Sequence, residues 1–356
     1  MRVYLHKIGL QMRNTALQVR YLSASLLIFL SASCSASVGY QQITVPDPAG
    51  RPLLVSVWYP SRGTGAAQQI GLFTQTVIAG GPVLGSSMPL ILFSHGTGGS
   101  PANYYDTALA LARSGFVVAA VLHTADNYRD QRYAGDIKDL MDRPRQVHVV
   151  LDCMLSSWPA HSQLDAQRIG MFGHSLGGFT TLVEIGGTPH LRRLRDLCSR
   201  RAAAPECLFV KQRHGDQLNP RPPGEHLIWV HDARIKAALV AAPALSVRFG
   251  PGDLDSVRIP VQVWRAAKDD QVPDEWNTAL LRHELPHAAP ERVVKGAGHF
   301  DFMAPCTAAL QQQIPSICRD PEGFNRGASL KLFNREVVRF FLRNLIAPPR
   351  LGPRGK

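Results

Sequence analysis

Apolar runs and amphipathic stretches alternate through most of this chain. Residues 40–60 alternate apolar and polar positions on both sides of a Pro/Asp/Gly turn, which predicts an antiparallel hairpin followed by a loop rich in Gly, Ser and Pro. Later runs are apolar without interruption and predict strands buried on both faces: MPLILFSHG, FVVAAVLH and RIGMFG. The segments between have helical spacing: ANYYDTALALARSG, which stops at Gly115, and DIKDLMDRPRQVHVVLDCMLSS, with an irregularity at Pro144. This order predicts a mostly parallel sheet flanked by helices on both faces.

The alternation is interrupted between about residues 187 and 230. This segment holds few apolar runs and many Arg and Pro residues, so we interpret it as an insertion that lies over one edge of the sheet as a cap. The pattern resumes with the strands RIKAALVAAPAL, IPVQVWRA and ERVVKG, a helix near EWNTALLRHEL and a last amphipathic helix, SLKLFNREVVRFFLRNL. The pattern therefore predicts one α/β domain over residues 37–346 with an inserted cap, followed by a flexible tail at 347–356.

The first 36 residues differ from the rest of the chain. Four basic residues and no acidic one precede an apolar stretch, SASLLIFLSAS, and small residues follow it. This order is typical of a secretory signal peptide, and the apolar run is short for a membrane span; an uncleaved anchor and a start at Met12 are the alternatives. Cleavage after Ala36 predicts an exported protein, periplasmic or secreted. Cleavage before a lipidated Cys34 is disfavoured because Ser31 stands where a lipobox usually has leucine.

Composition and charge narrow the classes of function. With 356 residues and 45% hydrophobic composition the chain buries a substantial core, which excludes a disordered or fibrous protein. The net charge of +12 falls to +8 when the four basic residues of the signal are removed, so the mature protein is mildly basic and favours loose association with anionic membrane surfaces. The basic residues are scattered, apart from a patch in HLRRLRDLCSRR, and this argues against nucleic-acid binding.

Five cysteines follow the predicted signal. Cys198 and Cys207 are close in sequence, as are Cys306 and Cys318, and each pair predicts a disulfide in an oxidising compartment. Cys153 lies on an apolar helical face and is predicted to be a packed, inert thiol. No Cys or His pair has zinc-type spacing, so the sequence predicts no metal site.

The segment MFGHSLGGFT contains the pattern G-x-S-x-G at Gly173–Gly177, with Ser175 at its centre. A strand is predicted before it and a helix after it, which is the context in which this pattern exposes a nucleophilic serine on a sharp turn. The alternative interpretation is a glycine-rich turn without chemistry. A serine hydroxyl is a weak nucleophile, so it needs a base to take its proton and an acid to orient that base. The presence of both elsewhere in the chain would favour the nucleophile over the simple turn.

A base and an acid follow in the order that this arrangement requires. His299 comes after a predicted strand and a Gly-Ala-Gly turn, and Asp269 comes after the strand IPVQVWRA, 30 residues earlier. Asp270 is the alternative acid, because adjacent side chains point in different directions, whereas Asp301 is predicted to be structural. The other histidines precede the serine, lie within its turn, or lie in or after a helix: His95, His123, His174, His283 and His287.

Two backbone N–H groups are predicted to bind the negative oxygen that forms during attack. One belongs to Leu176, directly after the nucleophile. The other comes from the glycine-rich turn SHGTGGS after the strand LILF, where we expect the N–H of Thr97, with Gly96 as the alternative.

With these residues placed, the chain resembles the α/β-hydrolase group that unites platelet-activating-factor acetylhydrolase with bacterial dienelactone hydrolase-like proteins. The resemblance covers about residues 40–346 apart from the cap, and these motifs carry it: VWYP, LILFSHGTGGS, FGHSLGG, RIKAALVAAPAL, VQVWRAAKDDQVP and GAGHFDFMAPC. It implies the α/β-hydrolase fold and the site residues Ser175, Asp269, His299, Thr97 and Leu176. True dienelactone hydrolases use a cysteine where this chain has Ser175, and residues 187–230 do not suggest the membrane-docking surface of the acetylhydrolases. The resemblance therefore implies a carboxylic-ester hydrolase without naming its ester.

These observations predict an exported serine hydrolase that cleaves small-molecule or lipid esters through an acyl-enzyme and requires no metal or organic cofactor. An acyltransferase or a peptidase with the same triad is one alternative. A non-catalytic hydrolase fold used for binding is another, and the presence of all five site residues argues against it.

Overall fold

A ten-stranded mixed sheet dominates the part of the chain that a computed structural model describes, residues 37–214, 227–286 and 288–346. The predicted signal peptide (1–36) and tail (347–356) lie outside the described residues, as do His287 and part of the predicted cap. The strands are β1 (Ser37–Val45), β2 (Leu53–Ser61), β3 (Ala66–Ile70), β4 (Phe73–Ala79), β5 (Met88–Ser94), β6 (Val117–Leu122), β7 (Leu164–His174), β8 (Ile235–Ala241), β9 (Val261–Ala266) and β10 (Ala288–Val294).

The sheet has the order β10-β9-β8-β7-β5-β6-β2-β1-β4-β3. Every pair from β10 to β6 is parallel, whereas β2 is antiparallel to both β6 and β1. The predicted mostly parallel sheet is therefore confirmed. The carboxyl ends of β5, β7, β8 and β9 meet at one edge of this sheet, where loops from separate parts of the chain come together.

Helices cover both faces of the sheet, as predicted. Leu90 and Leu92 of β5 pack into a core with α2 (Ile137–Ser156) and α3 (Leu176–Glu184). Ile91 and Phe93 of the same strand pack into a second core with α1 (Tyr105–Arg113) and α9 (Arg326–Phe341). This alternation explains the uninterrupted apolar run, because both faces of the strand are buried. The α-helices are α1 (Tyr105–Arg113), α2 (Ile137–Ser156), α3 (Leu176–Glu184), α4 (Leu191–Arg200), α5 (Pro205–His214), α6 (Thr278–Glu284), α7 (Ala308–Gln313), α8 (Pro315–Cys318) and α9 (Arg326–Phe341).

The prediction of a loop between the first hairpin and β5 is partly wrong. It contains a second hairpin, in which β3 pairs antiparallel with β4 and Ile70 lies opposite Phe73. Phe73, Gln75 and Val77 are buried while Thr74 and Thr76 are exposed, so the period-2 signal of a strand is present but contains a buried polar residue. The Gln75 side chain is retained in the interior because its Oε1 accepts a hydrogen bond from Trp58 Nε1 at 2.9 Å.

Two helices, α4 and α5, occupy the described part of the predicted cap. The disulfide Cys198–Cys207 joins them, and Cys306–Cys318 encloses α7 and α8, so both predicted disulfides are confirmed. Cys153 is a free, half-buried thiol that packs against the main core. The helix α2 runs unbroken through Pro144. Within the described residues no helix is long and apolar enough to span a membrane.

Candidate active site

Ser175 lies on a sharp turn between β7 and α3. Its backbone has φ 54° and ψ −122°, a conformation that residues other than glycine rarely adopt. The two flanking glycines are required by space: a Cβ on Gly173 would lie 2.0 Å from Gly177 O, and one on Gly177 would lie 1.9 Å from Ser94 O. The G-x-S-x-G pattern is thus a packing requirement of this turn, in which the backbone of α3 closes against β5.

His299 lies between Ser175 and Asp269. Its Nε2 is 2.9 Å from Ser175 Oγ, and its Nδ1 is 2.8 Å from Asp269 Oδ2. The other carboxylate oxygen of Asp269 accepts the backbone N–H groups of Gln271 and Val272 at 3.0 and 2.8 Å. These bonds hold the carboxylate in one orientation. The side chains of His299 and Asp269 are 4% and 5% exposed, so solvent competes little with the bonds between them.

The remaining candidate residues lie elsewhere. Asp270 faces solvent and accepts a hydrogen bond from Gln271 Nε2 at 3.1 Å. Asp301 is buried, pairs with Arg326 at 2.9 Å and accepts the N–H of Gly298 at 2.7 Å, which holds the turn that carries His299. His283 is exposed on α6. The structure therefore brings together the three residues that the sequence singled out and leaves the alternatives outside the cluster.

His174, within the turn that carries Ser175, holds the backbone of His299 in place. Its Nε2 lies 3.0 Å from the carbonyl oxygen of His299, and since a carbonyl only accepts, Nε2 carries the proton. Its Nδ1 then accepts from the Tyr104 hydroxyl at 2.9 Å. Burial, together with the electrostatic interaction with the adjacent His299 ring, lowers the pKa of His174 well below its usual range. A neutral ring on this tautomer therefore fixes the backbone at position 299.

The two predicted N–H donors lie beside the serine. Leu176 is the first residue of α3, where a backbone N–H has no partner within the helix. Thr97 lies in the loop after β5, lines the same cavity as Ser175, and has no protein acceptor for its N–H among the described residues. The N–H of Gly96 faces the Tyr104 hydroxyl at 3.4 Å. This geometry favours Thr97 over Gly96.

A buried polar network behind the Thr97 loop was not predicted from the sequence. Arg143 of α2 and Asp126 form an ion pair of 2.8 Å in which both side chains are fully buried. Arg143 also donates to the carbonyl of His95, and Asp126 Oδ1 accepts the N–H of Gly98 at 2.8 Å. The available signal was Arg143 itself, one of the two arginines that flank Pro144 in an amphipathic helix, and it did not indicate the partner.

A cavity of about 570 Å³ opens at Ser175. Its walls come from the β3–β4 hairpin, from α5 and from the α7–α8 segment, and most of the side chains that line it are apolar: Ile70, Leu72, Phe73, Phe209, Val210, Leu245, Val272, Phe300, Met303, Leu310, Ile314 and Ile317. Arg213, at the end of α5, contributes a positive charge to the lining; it donates to Gln131 Oε1 at 2.6 Å. The size lies in the range of small-molecule sites.

Among the described residues no group of three or more His, Cys, Asp or Glu side chains is arranged to hold a metal ion.

Comparison with known proteins agrees with this fold. Residues 66–136, from β3 to the residue before α2, match the family model described as platelet-activating factor acetylhydrolase, isoform II. A solved structure of a ferulic acid esterase from Streptomyces cinnamoneus superposes with a TM-score of 0.59 at 19% identity, over 90% of this chain and 93% of that chain. No curated protein sequence matches. The chain thus has the α/β-hydrolase fold and is similar, over residues 66–136, to the platelet-activating-factor acetylhydrolase group.

Proposed function

We propose that this protein is an exported serine hydrolase that cleaves carboxylic esters through an acyl-enzyme. The observation that carries the proposal is the continuous chain of hydrogen bonds from Asp269 through His299 to Ser175, at the base of an apolar cavity. The platelet-activating-factor acetylhydrolase model and the ferulic acid esterase structure both carry the names of ester hydrolases, and this supports the reaction class. The two disulfides support export, because such bonds persist in oxidising compartments.

Each residue of the cluster has one role in the proposed reaction. Ser175 Oγ attacks the ester carbonyl carbon while His299 Nε2 takes the hydroxyl proton, and Asp269 stabilises the imidazolium through Nδ1–H. The N–H groups of Leu176 and Thr97 hydrogen-bond the negative oxygen, and loss of one such donor costs about 3 kcal/mol in other serine hydrolases. His299 then protonates the leaving alcohol, and a water molecule deprotonated by the same ring releases the acid.

The cavity supports a neutral ester with apolar groups as the substrate. Its lining is mostly apolar, so burying alkyl or aromatic groups there releases about 25 cal/mol per Å² of apolar surface removed from water. A volume of about 570 Å³ exceeds the space that an acetyl group occupies. We therefore expect kcat/KM to rise from p-nitrophenyl acetate to esters of intermediate chain length.

The decisive test compares Ser175→Ala with Ser114→Ala, a serine at the end of α1 whose hydroxyl donates to the Ala110 carbonyl at 2.9 Å. We expect S175A to lose p-nitrophenyl ester hydrolysis and labelling by a fluorophosphonate, while S114A keeps both. Hydrolysis undiminished in S175A would overturn the proposal. An unaltered protein inactive on the whole ester series would favour the binding protein, and preferential transfer to an added alcohol or amine would favour the acyltransferase.

A further inference from the structure

The loop that carries Thr97 is held by a histidine whose protonation pattern follows from its partners. His95 is 1% exposed, and its Nε2 lies 3.1 Å from the backbone nitrogen of His123. Since a backbone N–H only donates, Nε2 of His95 is the acceptor and the ring proton is on Nδ1. That Nδ1 lies 2.7 Å from the carbonyl oxygen of Gly96, which only accepts. Both bonds therefore require the same neutral tautomer.

The neutral form of this ring is also favoured by its surroundings. Burial, together with the positive charge of the nearby Arg143, lowers the pKa of His95 to about 3. The ring thus stays neutral throughout the pH range in which esterases are assayed. Its Nδ1–H remains a donor to Gly96 and its Nε2 remains an acceptor.

Fixing the Gly96 carbonyl also fixes the direction of the next N–H. In a trans peptide the carbonyl of one residue and the N–H of the next point in opposite directions, and the described residues contain no cis peptide. The Gly96 carbonyl accepts from His95 Nδ1 and from the N–H of Gly99 at 3.1 Å. The Thr97 N–H is therefore directed away from the His95 ring.

The Thr97 peptide lies next to the serine. A Cβ on Gly96 would lie 3.0 Å from Ser175 Cβ, and Thr97 and Ser175 line the same cavity. On either side of this peptide the loop is anchored by the buried ion pair, through Arg143 to the His95 carbonyl and through Asp126 to the Gly98 N–H. The Thr97 N–H is left without a protein acceptor among the described residues.

From this geometry we infer that His95 is a positioning residue, which holds the Gly96–Thr97 peptide so that the Thr97 N–H faces the negative oxygen of the transition state. The inference rests on the proposed ester hydrolysis for its kinetic consequence. It concerns a side chain that touches no substrate and acts through the backbone of the next residue.

Two substitutions of His95 separate positioning from general structural support. His95→Asn keeps a donor near the place of Nδ1 and loses the acceptor for His123. His95→Gln keeps an acceptor near the place of Nε2 and loses the donor to Gly96. Positioning predicts that H95Q lowers kcat by about 10²-fold with KM nearly unchanged, as expected for loss of one oxyanion donor, and that H95N recovers much of the loss. Structural support through His123 predicts the reverse order.

The Ki of a transition-state analogue distinguishes loss of an oxyanion donor from a general loss of stability. A trifluoromethyl ketone forms a tetrahedral adduct with a nucleophilic serine, and its oxyanion occupies the predicted donor site, so its Ki is expected to rise in H95Q in proportion to the loss of kcat. His161→Gln is the matched control. His161 also faces a backbone carbonyl, that of Trp158 at 2.9 Å, but it precedes β7, an eleven-residue strand that separates it from Ser175 by about 30 Å.

A crystal structure of H95Q tests the inference without any ester. We expect the Gly96–Thr97 peptide to be rotated or to occupy two orientations. An unrotated peptide, or H95Q more active than H95N, would overturn the role of His95. Absence of hydrolysis by the unaltered protein would instead overturn the proposed function, while the peptide orientation in the H95Q crystal would still decide the role of His95.

Discussion

At the scale of single residues, the turn at Ser175 combines backbone strain with several anchors. A non-glycine residue with φ 54° costs about 1 to 3 kcal/mol. The turn is held because the Ser175 N–H donates to Ala241 O at 3.0 Å and its carbonyl accepts from Ala244 N at 3.0 Å and Gly178 N at 2.8 Å. Hydrogen bonds to β8 and α3 therefore hold the strained backbone of Ser175 in place, and its hydroxyl is directed into the cavity.

The adjacent aspartates at 269 and 270 provide a matched pair for the proposed acid. In Asp269→Asn the side-chain amide can donate to His299 Nδ1, which favours the tautomer with its proton on Nε2 and leaves no base for Ser175. We expect kcat to fall by about 10⁴-fold, the size of this effect in another serine hydrolase, measured on a p-nitrophenyl ester. Asp270→Asn changes only an exposed contact with Gln271 and should leave kcat unchanged. Equal losses in the two variants would contradict the assignment.

At the scale of elements, short helices form two walls of the cavity. α5 has ten residues and α7 and α8 have six and four, lengths at which isolated helices are marginal. α5 is anchored by Glu206, which accepts from Trp276 Nε1 at 2.8 Å and Asn277 Nδ2 at 2.5 Å, just beyond the loop of Asp269. The two disulfides add covalent closure to both walls.

Removing the disulfide at Cys306 and Cys318 should affect both stability and specificity. The bond closes a loop between residues 12 apart in sequence, so we expect a double alanine variant to lose about 2 to 4 kcal/mol of unfolding free energy. Because Cys306, Leu310 and Ile317 line the cavity, kcat/KM should fall more for long-chain than for short-chain esters. Chemical denaturation and a p-nitrophenyl ester series measure these effects. An unchanged denaturation midpoint would show that this closure contributes nothing.

The elements that could be predicted are those stabilised by a pattern within their own sequence. The buried parallel strands were predicted because each carries its own apolar run. The β3–β4 hairpin was missed because its stability depends on Gln75 reaching Trp58 on another strand and on Phe73 packing with Leu310 and Ala102. The period-2 pattern of β4 has a polar residue at a buried position, and the partners that stabilise the hairpin lie elsewhere in the chain, so the local pattern did not identify it.

At the scale of the whole molecule, the two cores enclose a few charged groups away from the candidate site. Glu184, the last residue of α3, is fully buried. Burial, together with the nearby carboxylate of Asp232, raises the pKa of Glu184 well above its usual range. Glu184 therefore favours the protonated form when the protein is folded.

This buried carboxyl makes stability depend on pH in a defined direction. The folded state holds the Glu184 proton at pH values where the unfolded chain has released it, so its contribution is greatest at and below the ordinary glutamate pKa and is lost as the pH rises. Glu184→Gln removes the ionisation, and we expect its unfolding free energy relative to the unaltered protein to rise as the pH is raised above the ordinary glutamate pKa. Denaturant curves at several pH values, with the exposed Glu322→Gln as control, measure this difference. A difference that is constant with pH would contradict the prediction.

The sequence by itself determined the order of the buried strands and of the long helices that flank them, and the residues worth testing, because apolar periodicity, glycine positions and the order of serine, acid and histidine are all present along the chain. Only the tertiary structure decided that Asp269 and not Asp270 contacts His299, that His95 faces the Gly96 carbonyl, and that α5 and α7–α8 enclose the cavity. Asp269 and His299 are 30 positions apart, and the His95 ring is oriented by the backbone N–H of His123, 28 positions later in the chain. The α5 and α7–α8 walls are likewise distant from each other in sequence. Which side chains meet across such separations depends on how the strands align and the helices pack, and no local pattern encodes it.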